Sequence, residues 1–528
     1  MHRYVSTHMH LHTTFEACAT MRSQAFMAKK LGIEALFITD HDTRMGYLEK
    51  RVNCFSYQNG EALQIINQTP AGWYDENEAP LSPVQKENEW LLPLIPGKNA
   101  RFFADRKFHQ ASLLADLTFF IDLLLPDTWD GGLRIDFELS LTEDSEEIQH
   151  FYYDIGDCPN ENPRAFRKIL PMEKGACRLQ LPISQDILSF DPLGQDHCFV
   201  ALQLRTFGKL SAYYLGHEME RKYAAEAARQ RQQETADRIS EETGVLLHAA
   251  TEITGAGQHK ICFSKCVPLI DYPAHDYQVS WEMAVAHVKK HGGIHAYNHM
   301  FEFFKRREWA GEEREKLIQS VIETLTESRA EDAVLMEVGF PEGRSGFSAE
   351  EHLRVWDALA MKGILLSGYG DNDNHNSRIN WLDGNNFSAC WYAEGPEREA
   401  IEKALPTGNG YTLDPARLQG TAFEFHLENA PMGGILIGGM QSEAMVSFKN
   451  LPEAGEIRIM VGGKCMEKKA LSPGNHALSF TVKKNAPLCP VRIEFRGTDG
   501  RILLLSNPVY WTDVDLPDYE ARPRHFVK

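Results

Sequence analysis

The sequence predicts a mixed α/β protein: a barrel-like α/β domain, split by an inserted antiparallel β domain and followed by a β-sandwich. Three observations carry this. Apolar strand candidates alternate with helical periodicity near the N-terminus and again between about 215 and 403. From 45 to 214 the texture changes to Pro, Asn and Gly turns between strictly alternating segments. After about 408 only short strands remain, separated by Gly, Pro and Asn. A chain of 528 residues has room for several domains, and 43% hydrophobic with 24% charged residues is the composition of a protein that fills its cores.

In chain order, HMHLH opens as a strand. Met21 to Leu31 has helical spacing, Gly32 stops it, and Ala35 to Thr39 is the next apolar strand, a βαβ opening. Within the insert, Leu133, Ile135, Phe137, Leu139 and Leu141 alternate with polar partners, and CRLQLPI and HCFVALQLR behave similarly. The charged, Ala-rich stretch from about Glu218 to Glu242 reads as one helix ending at Gly244. GVLLHAATE, GGIHAYNHM, AVLMEVGF and GILLSGYGD each follow a helical pattern, which favours a parallel sheet or barrel. FEFHL, AMVSFKN, EIRIMVGG, ALSFTVKK and VRIEFRG supply the terminal sandwich. The expected domains are therefore 1–44 with 215–403, 45–214, and 408–528.

Charge and cysteine usage bound the partners. Fifty-five basic against 74 acidic side chains give a net charge of −19, which repels nucleic acid and anionic membrane surfaces. The start MHRYVSTHMHLH has neither a basic nor an apolar leader segment, and no uncharged apolar stretch is long enough to span a bilayer. The ten cysteines are scattered without a CxxC pair, as in a reducing compartment. The expectation is a soluble, cytoplasmic protein acting on a small molecule, with oligomerisation left open.

The chemistry concentrates in the α/β segments. His10 and His12, two apart on one strand, leave the same face about 6.5 to 7 Å from each other, and His8 shares that face. The next strand ends in Asp40 and His41. Glu252, His259, His299, Glu337, Asp373 and His375 recur at or near later strand ends, where barrel active sites collect. The two β domains show no such pattern. Imidazole mixed with carboxylate suits zinc, manganese or iron, and more ligands than one tetrahedral site needs imply two or three divalent ions. His295 and His248, four residues before His299 and Glu252, lie deeper and read as core histidines.

HMHLHT, ITDHDT, LLHAATEITG, GGIHAYNHM and GDNDNH, in this order, resemble the motifs of the PHP (polymerase and histidinol phosphatase) superfamily. The resemblance covers about 1–44 and 215–403. It implies a distorted (β/α)7 barrel holding two or three metal ions and, for most members, phosphoester hydrolysis. By motif position it implies His10, His12, His41, Glu252, His259, His299, Asp373 and His375 as ligands, with Glu252 bridging two metals. The chain departs from the family pattern at Thr14-Phe15-Glu16-Ala17-Cys18, where Glu16 or Cys18 takes the place of the usual acidic residue. His8, Asp40 and Arg378 stand near the motifs as possible substrate-facing or supporting residues. The order of a PHP domain, ALPTGNGYTLD and a sandwich ending in LLSNPVYW also looks like the carbaryl-hydrolase-like branch, whose named members cleave an aryl carbamate ester.

The expected reaction is hydrolysis by metal-activated water, with His10, His12 and Glu252 acting through the metals. No GxSxG elbow or P-loop offers another route. A small-molecule phosphoester is the first substrate class, a carbamate or carboxylic ester the alternative. A non-catalytic binding module is the third reading.

Overall fold

The computed structural model describes residues 1–13, 19–42, 48–54, 65–67, 73–86, 89–103, 113–140, 148–222, 225–254, 259–265, 267–270, 281–301, 309–339, 346–371, 373–375, 387–513 and 526–527. Glu16, Cys18 and Arg378 lie outside them. The fold is mixed α/β with strands predominating in several sheets. It forms two compact units: Met1–His12, Ala25–Thr43 and Ile239–Lys528 in one, Thr13–Gln24 and Arg44–Arg238 in the other. No helix among the described residues is long and apolar enough to cross a membrane.

In the first unit, β1 (Arg3–Leu11) pairs in parallel with β2 (Ala35–Ile38), and β2 in parallel with β3 (Leu246–Ala249). A second sheet contains β4 (Thr251–Ile253), β5 (Lys260–Cys262), β6 (His295–Tyr297), β7 (Leu335–Gly339) and β8 (Ser367–Gly370). Helices Trp281–Lys290, Gly311–Glu327 and Ala349–Met361 precede β6, β7 and β8. Their sequences explain them. Leu317, Ile318, Val321, Ile322 and Leu325 recur at helical spacing, and all are buried against Leu353, Trp356, Met336 and Val338. Ser348 and Glu351 close a reciprocal capping box at the start of Ala349–Met361.

The parallel sheet or distorted barrel expected from the sequence is drawn only in part by the ladders. β5 runs antiparallel to both β4 and β6, β1 is antiparallel to Ser388–Ala393, and strand pairing among the described residues does not close the two sheets on each other. Bridges of single residues link the sheets instead, His41 to Glu252 and Leu11 to Asn374.

The first sheet continues past Ser388–Ala393 through Gly410–Leu413 into Ile502–Ser506 and Leu488–Gly497. A four-stranded sheet built on Ala422–Leu427, Gln441–Leu451 and Gly474–Lys483 packs Phe423, Phe425 and Val446 against Ile457, Ile459 and Ile493 of the continued sheet. The strands after 408 are thus a sandwich that shares hydrogen bonds with the α/β region.

The second unit stacks a six-stranded and a seven-stranded sheet around Phe119, Ile121, Leu133, Ile135, Phe137, Tyr153 and Leu204. Thr118–Leu125 alternates buried and half-buried along its length, the period of a strand with one face inward. Trp73 and Tyr153 are core residues of this unit. The helix expected from Glu218 begins only at Ala225 and ends at Thr243. Residues through Lys222 belong instead to strand Ala212–Lys222, captured by pairing with Leu48–Cys54 and Thr118–Leu125. Distant partners decided this segment where local propensity favoured helix.

His217 lies in this core, its ring between Phe102 and Phe119 and its Nδ1 at 2.7 Å from the Tyr214 hydroxyl. Burial pushes its pKa down to about 3. Folding therefore keeps it neutral while the unfolded chain takes up a proton below about 6.5. Its stabilising contribution is present above about pH 6.5 and is lost, at about 1.4 kcal/mol per pH unit, as pH falls toward 3. Urea midpoints of wild type and His217→Gln, measured between pH 7 and 4, should converge as the pH drops. Parallel curves would refute a neutral, buried His217.

Candidate metal centre

The C-terminal ends of the strands bring the site together. The His12 N–H donates to the Asn374 carbonyl at 2.7 Å, the Asn374 N–H to the His10 carbonyl at 3.2 Å, and the Glu252 N–H to the Asp40 carbonyl at 3.3 Å. These bonds hold the end of β1 against the segment after β8 and the end of β2 against β4. Strand alternation then turns His10 and His12 to one side, where both are fully buried.

Glu252 is the centre of the resulting cluster. Its Oε2 lies 2.9 Å from His41 Nδ1, 3.4 Å from His12 Nε2 and 3.5 Å from His10 Nε2. Its Oε1 lies 2.8 Å from His259 Nδ1 and 3.2 Å from His299 Nε2. Asp373 extends the cluster, with Oδ1 at 2.7 Å from His12 Nε2, 3.3 Å from His375 Nδ1 and 3.4 Å from His10 Nε2.

Three overlapping groups follow, each able to hold a metal ion: His10, Glu252, His299 and Asp373; His12, Asp373 and His375; His41, Glu252 and His259. Glu252 and Asp373 each belong to two of them. The eight residues that the resemblance named as ligands are all in this cluster. Asp40 is buried behind it, with Oδ1 at 3.9 Å from His12 Nδ1. His8 is fully buried and belongs to none of the groups. His248 bonds the Pro396 carbonyl at 2.9 Å, and His295 is buried with its pKa lowered to about 4 by desolvation; neither joins the cluster.

The donor chemistry fits cations. Glu252 Oε2 has no hydrogen-bond partner among the described residues although it is completely buried and ringed by imidazole nitrogens. A buried carboxylate oxygen without a partner is costly unless something positive meets it. The electrostatics agree. Burial alone would raise the Glu252 pKa and lower that of His10, yet the facing charges hold Glu252 well below and His10 well above their usual ranges. For His299 burial is likewise outweighed, here by Glu337 above all, and its pKa is pushed up to about 10. A polar cluster that attracts protons so strongly would exchange them for metal.

Sequence reasoning left Glu337 as either a hydrogen-bond acceptor behind the ligands or a strand-end acid, and passed over Asp371. Both are buried, and with His10 they form a fourth convergent group. The repeated acid in Gly-Asp-Asn-Asp was the available signal, since residues two apart share a side of an extended chain. Two residues of the cluster also have unusual backbones. His299 has φ 47° and Asp373 φ 52°, in the left-handed region that costs an L residue roughly 1–2 kcal/mol. A further His/carboxylate group, Asp136, Glu138 and His150, lies in the second unit. There Glu138 is already bound by Arg101 and Gln203, and Asp136 by His150 at 3.0 Å.

No protein-family model and no curated protein matches the chain. Among solved structures it is similar to the CBM22-1-GH10 modules of endo-1,4-beta-D-xylanase 10B from Clostridium thermocellum, at 10% identity and TM-score 0.19, over 29% of this chain and 26% of that one. It therefore spans about a quarter of that structure. It is also similar to a CBM28 module specific for non-crystalline cellulose, at 14% identity and TM-score 0.17, over 31% of this chain and 93% of the module. A beta-glucosidase from Listeria innocua shows 12% identity and TM-score 0.12, over 40% of this chain and 39% of the enzyme. Scores this low carry no conclusion about fold or activity.

Proposed function

We propose that the chain is a metal-dependent hydrolase of the PHP kind, built on a distorted barrel and cleaving a phosphoester of a small molecule. The observation that carries this reading is the fully buried Glu252 carboxylate on which His10, His12, His41, His259 and His299 converge. Metal ions bound there would lower the pKa of a water and polarise the ester oxygen. The chain's own part is to hold and orient. Glu252 and Asp373 tie the three groups into one array, and the buried His10, His12 and His299 form its floor. The side chains of His41, His259 and His375 are 20%, 21% and 32% exposed, so the substrate enters from their side.

The test is elemental analysis of untagged protein together with hydrolysis of p-nitrophenyl phosphate, 1-naphthyl acetate and a 1-naphthyl carbamate. The expected result is two to three equivalents of zinc, manganese or iron, with chelator-sensitive cleavage strongest on the phosphate. Cleavage confined to the naphthyl substrates would move the assignment to a carbamate or carboxylic ester hydrolase. Less than one equivalent after metal supplementation, with no turnover, would leave a binding module.

A further inference from the structure

Behind the array, on the side away from solvent, stand two carboxylates that the three main groups do not use. Glu337 is 1% exposed and Asp371 is 0% exposed. Glu337 comes from β7 and Asp371 directly follows β8, neighbouring parallel strands whose ladder places Glu337 against Tyr369 and Gly339 against Gly370. Glu337 Oε2 accepts two hydrogen bonds from one residue, the His299 backbone N–H at 2.7 Å and its ring Nδ1 at 2.7 Å. Asp371 Oδ1 accepts the Asp373 backbone N–H at 3.2 Å and lies 3.5 Å from His10 Nδ1.

The coincidence is that these two backbone N–H groups belong to His299 and Asp373, the two array residues in the left-handed region. Strain of this kind persists only where the surroundings over-determine it, and here a buried carboxylate grips the strained residue in each case. The grip aims the side chain. His299, with Nδ1 engaged by Glu337, presents Nε2 at 3.2 Å from Glu252 Oε1 and 3.8 Å from Asp373 Oδ2. Asp373, with its N–H engaged by Asp371, presents Oδ1 to His12, His375 and His10. A ring nitrogen that donates to a carboxylate leaves the other as the lone-pair donor, which fixes the tautomer a metal requires.

We infer that Glu337 and Asp371 are positioning residues. They hold His299 and Asp373 in left-handed backbone conformations, and Glu337 commits the ring of His299 to the tautomer that would face a metal. The inference rests on the metal-centre reading above. It goes beyond that reading by assigning the geometry of the floor to two residues that contact neither solvent nor the open side of the array.

The experiment uses the full chain stripped with chelator and titrated with zinc against a chromophoric competitor, with final stoichiometry from elemental analysis. Glu337→Gln and Asp371→Asn keep shape while replacing one accepting carboxyl oxygen with an amide NH2. Each should weaken zinc binding to at least one equivalent by about 10–100-fold, as loss of a carboxylate behind a ligand does elsewhere. The His41, Glu252 and His259 group, which neither residue touches, should retain near-wild-type affinity. Glu494→Gln is the control for general destabilisation: Glu494 is a buried carboxylate of the same unit, bound by Arg492 and Arg496 rather than by an array residue. It should lower the thermal midpoint and leave zinc affinity unchanged.

Wild-type zinc affinity in both variants would overturn the inference while leaving the metal centre standing. Equal weakening by Glu494→Gln would overturn it too, because the effect would then be one of stability. Failure of the wild type itself to take up zinc would instead remove the metal-centre reading, and with it this one. If Glu337→Gln loses its native near-ultraviolet circular dichroism, Asp371→Asn decides by the same criteria.

Discussion

On the metallohydrolase reading proposed above, Glu252→Gln should cost the protein its metal and its activity together. Among the described residues, Glu252 is the one whose two oxygens face five histidines, at 2.8 to 3.5 Å. Glutamine fills the same volume but replaces one anionic acceptor by an N–H donor, which in this setting points at ring nitrogens that must themselves offer lone pairs to metal. The negative charge that compensates cations at two adjoining positions disappears with it. Loss of affinity should therefore exceed the roughly 10–100-fold typical of a residue one contact removed from metal. The catalytic term, kcat/KM, should fall by at least about a thousandfold, because activated water and a polarised ester oxygen are lost at once. Elemental analysis and steady-state kinetics on the folded variant check both. By contrast His41→Ala, which removes a partly exposed member of one group only, should lose about one equivalent and retain measurable turnover. A Glu252→Gln protein with full metal content would mean that Glu252 is not the shared ligand.

Much of this site was legible before any coordinates. The alternation in HMHLHT puts His10 and His12 on one side of a strand whatever the tertiary fold, and acids and histidines at successive strand ends converge once those strands lie side by side. What sequence could not carry is whatever depends on register between distant strands. Asp371 is useful because β8 lies beside β7 in one particular alignment, which nothing local to Gly-Asp-Asn-Asp specifies. The left-handed backbones at His299 and Asp373 were equally hidden, since neither residue is the glycine that usually marks such conformations. The same limit explains the segment before Ala225. Glu218 to Lys222 has helix-forming composition, and only strands Leu48–Cys54 and Thr118–Leu125, far away in sequence, turn it into a strand. The pairing of Gly410–Leu413 was out of reach for a related reason: short apolar strands reveal that a sheet exists, but not that one strand pairs with Ser388–Ala393 on one side and Ile502–Ser506 on the other.

Metal removal should loosen the protein unevenly, and hydrogen exchange followed by mass spectrometry should show where. Every member of the three groups belongs to the unit made of Met1–His12, Ala25–Thr43 and Ile239–Lys528. An ion that binds only the folded form stabilises it by about 4 kcal/mol when free metal exceeds Kd a thousandfold, and chelation withdraws that amount. Without metal the buried carboxylates must be balanced by protons, and the facing carboxylates raise the pKa values of His10 and His299. An imidazolium donates where a neutral imidazole would have offered a lone pair, so protons replace the charge of the metal but not its several directed bonds. Protection should therefore fall in peptides covering Arg3–Leu11, Leu246–Ile253, His295–His299 and Ser367–Gly370, which carry the array or lead directly into it. Peptides over Thr118–Leu125 and Gly175–Leu181, whose buried side chains belong to a separate apolar core, should exchange at unchanged rates. A uniform loss of protection along the whole chain would mean that chelation unfolds the protein globally and that the array is not a local clamp. No change anywhere would mean that protons alone hold these strand ends together, and the metal-centre assignment would fall with it.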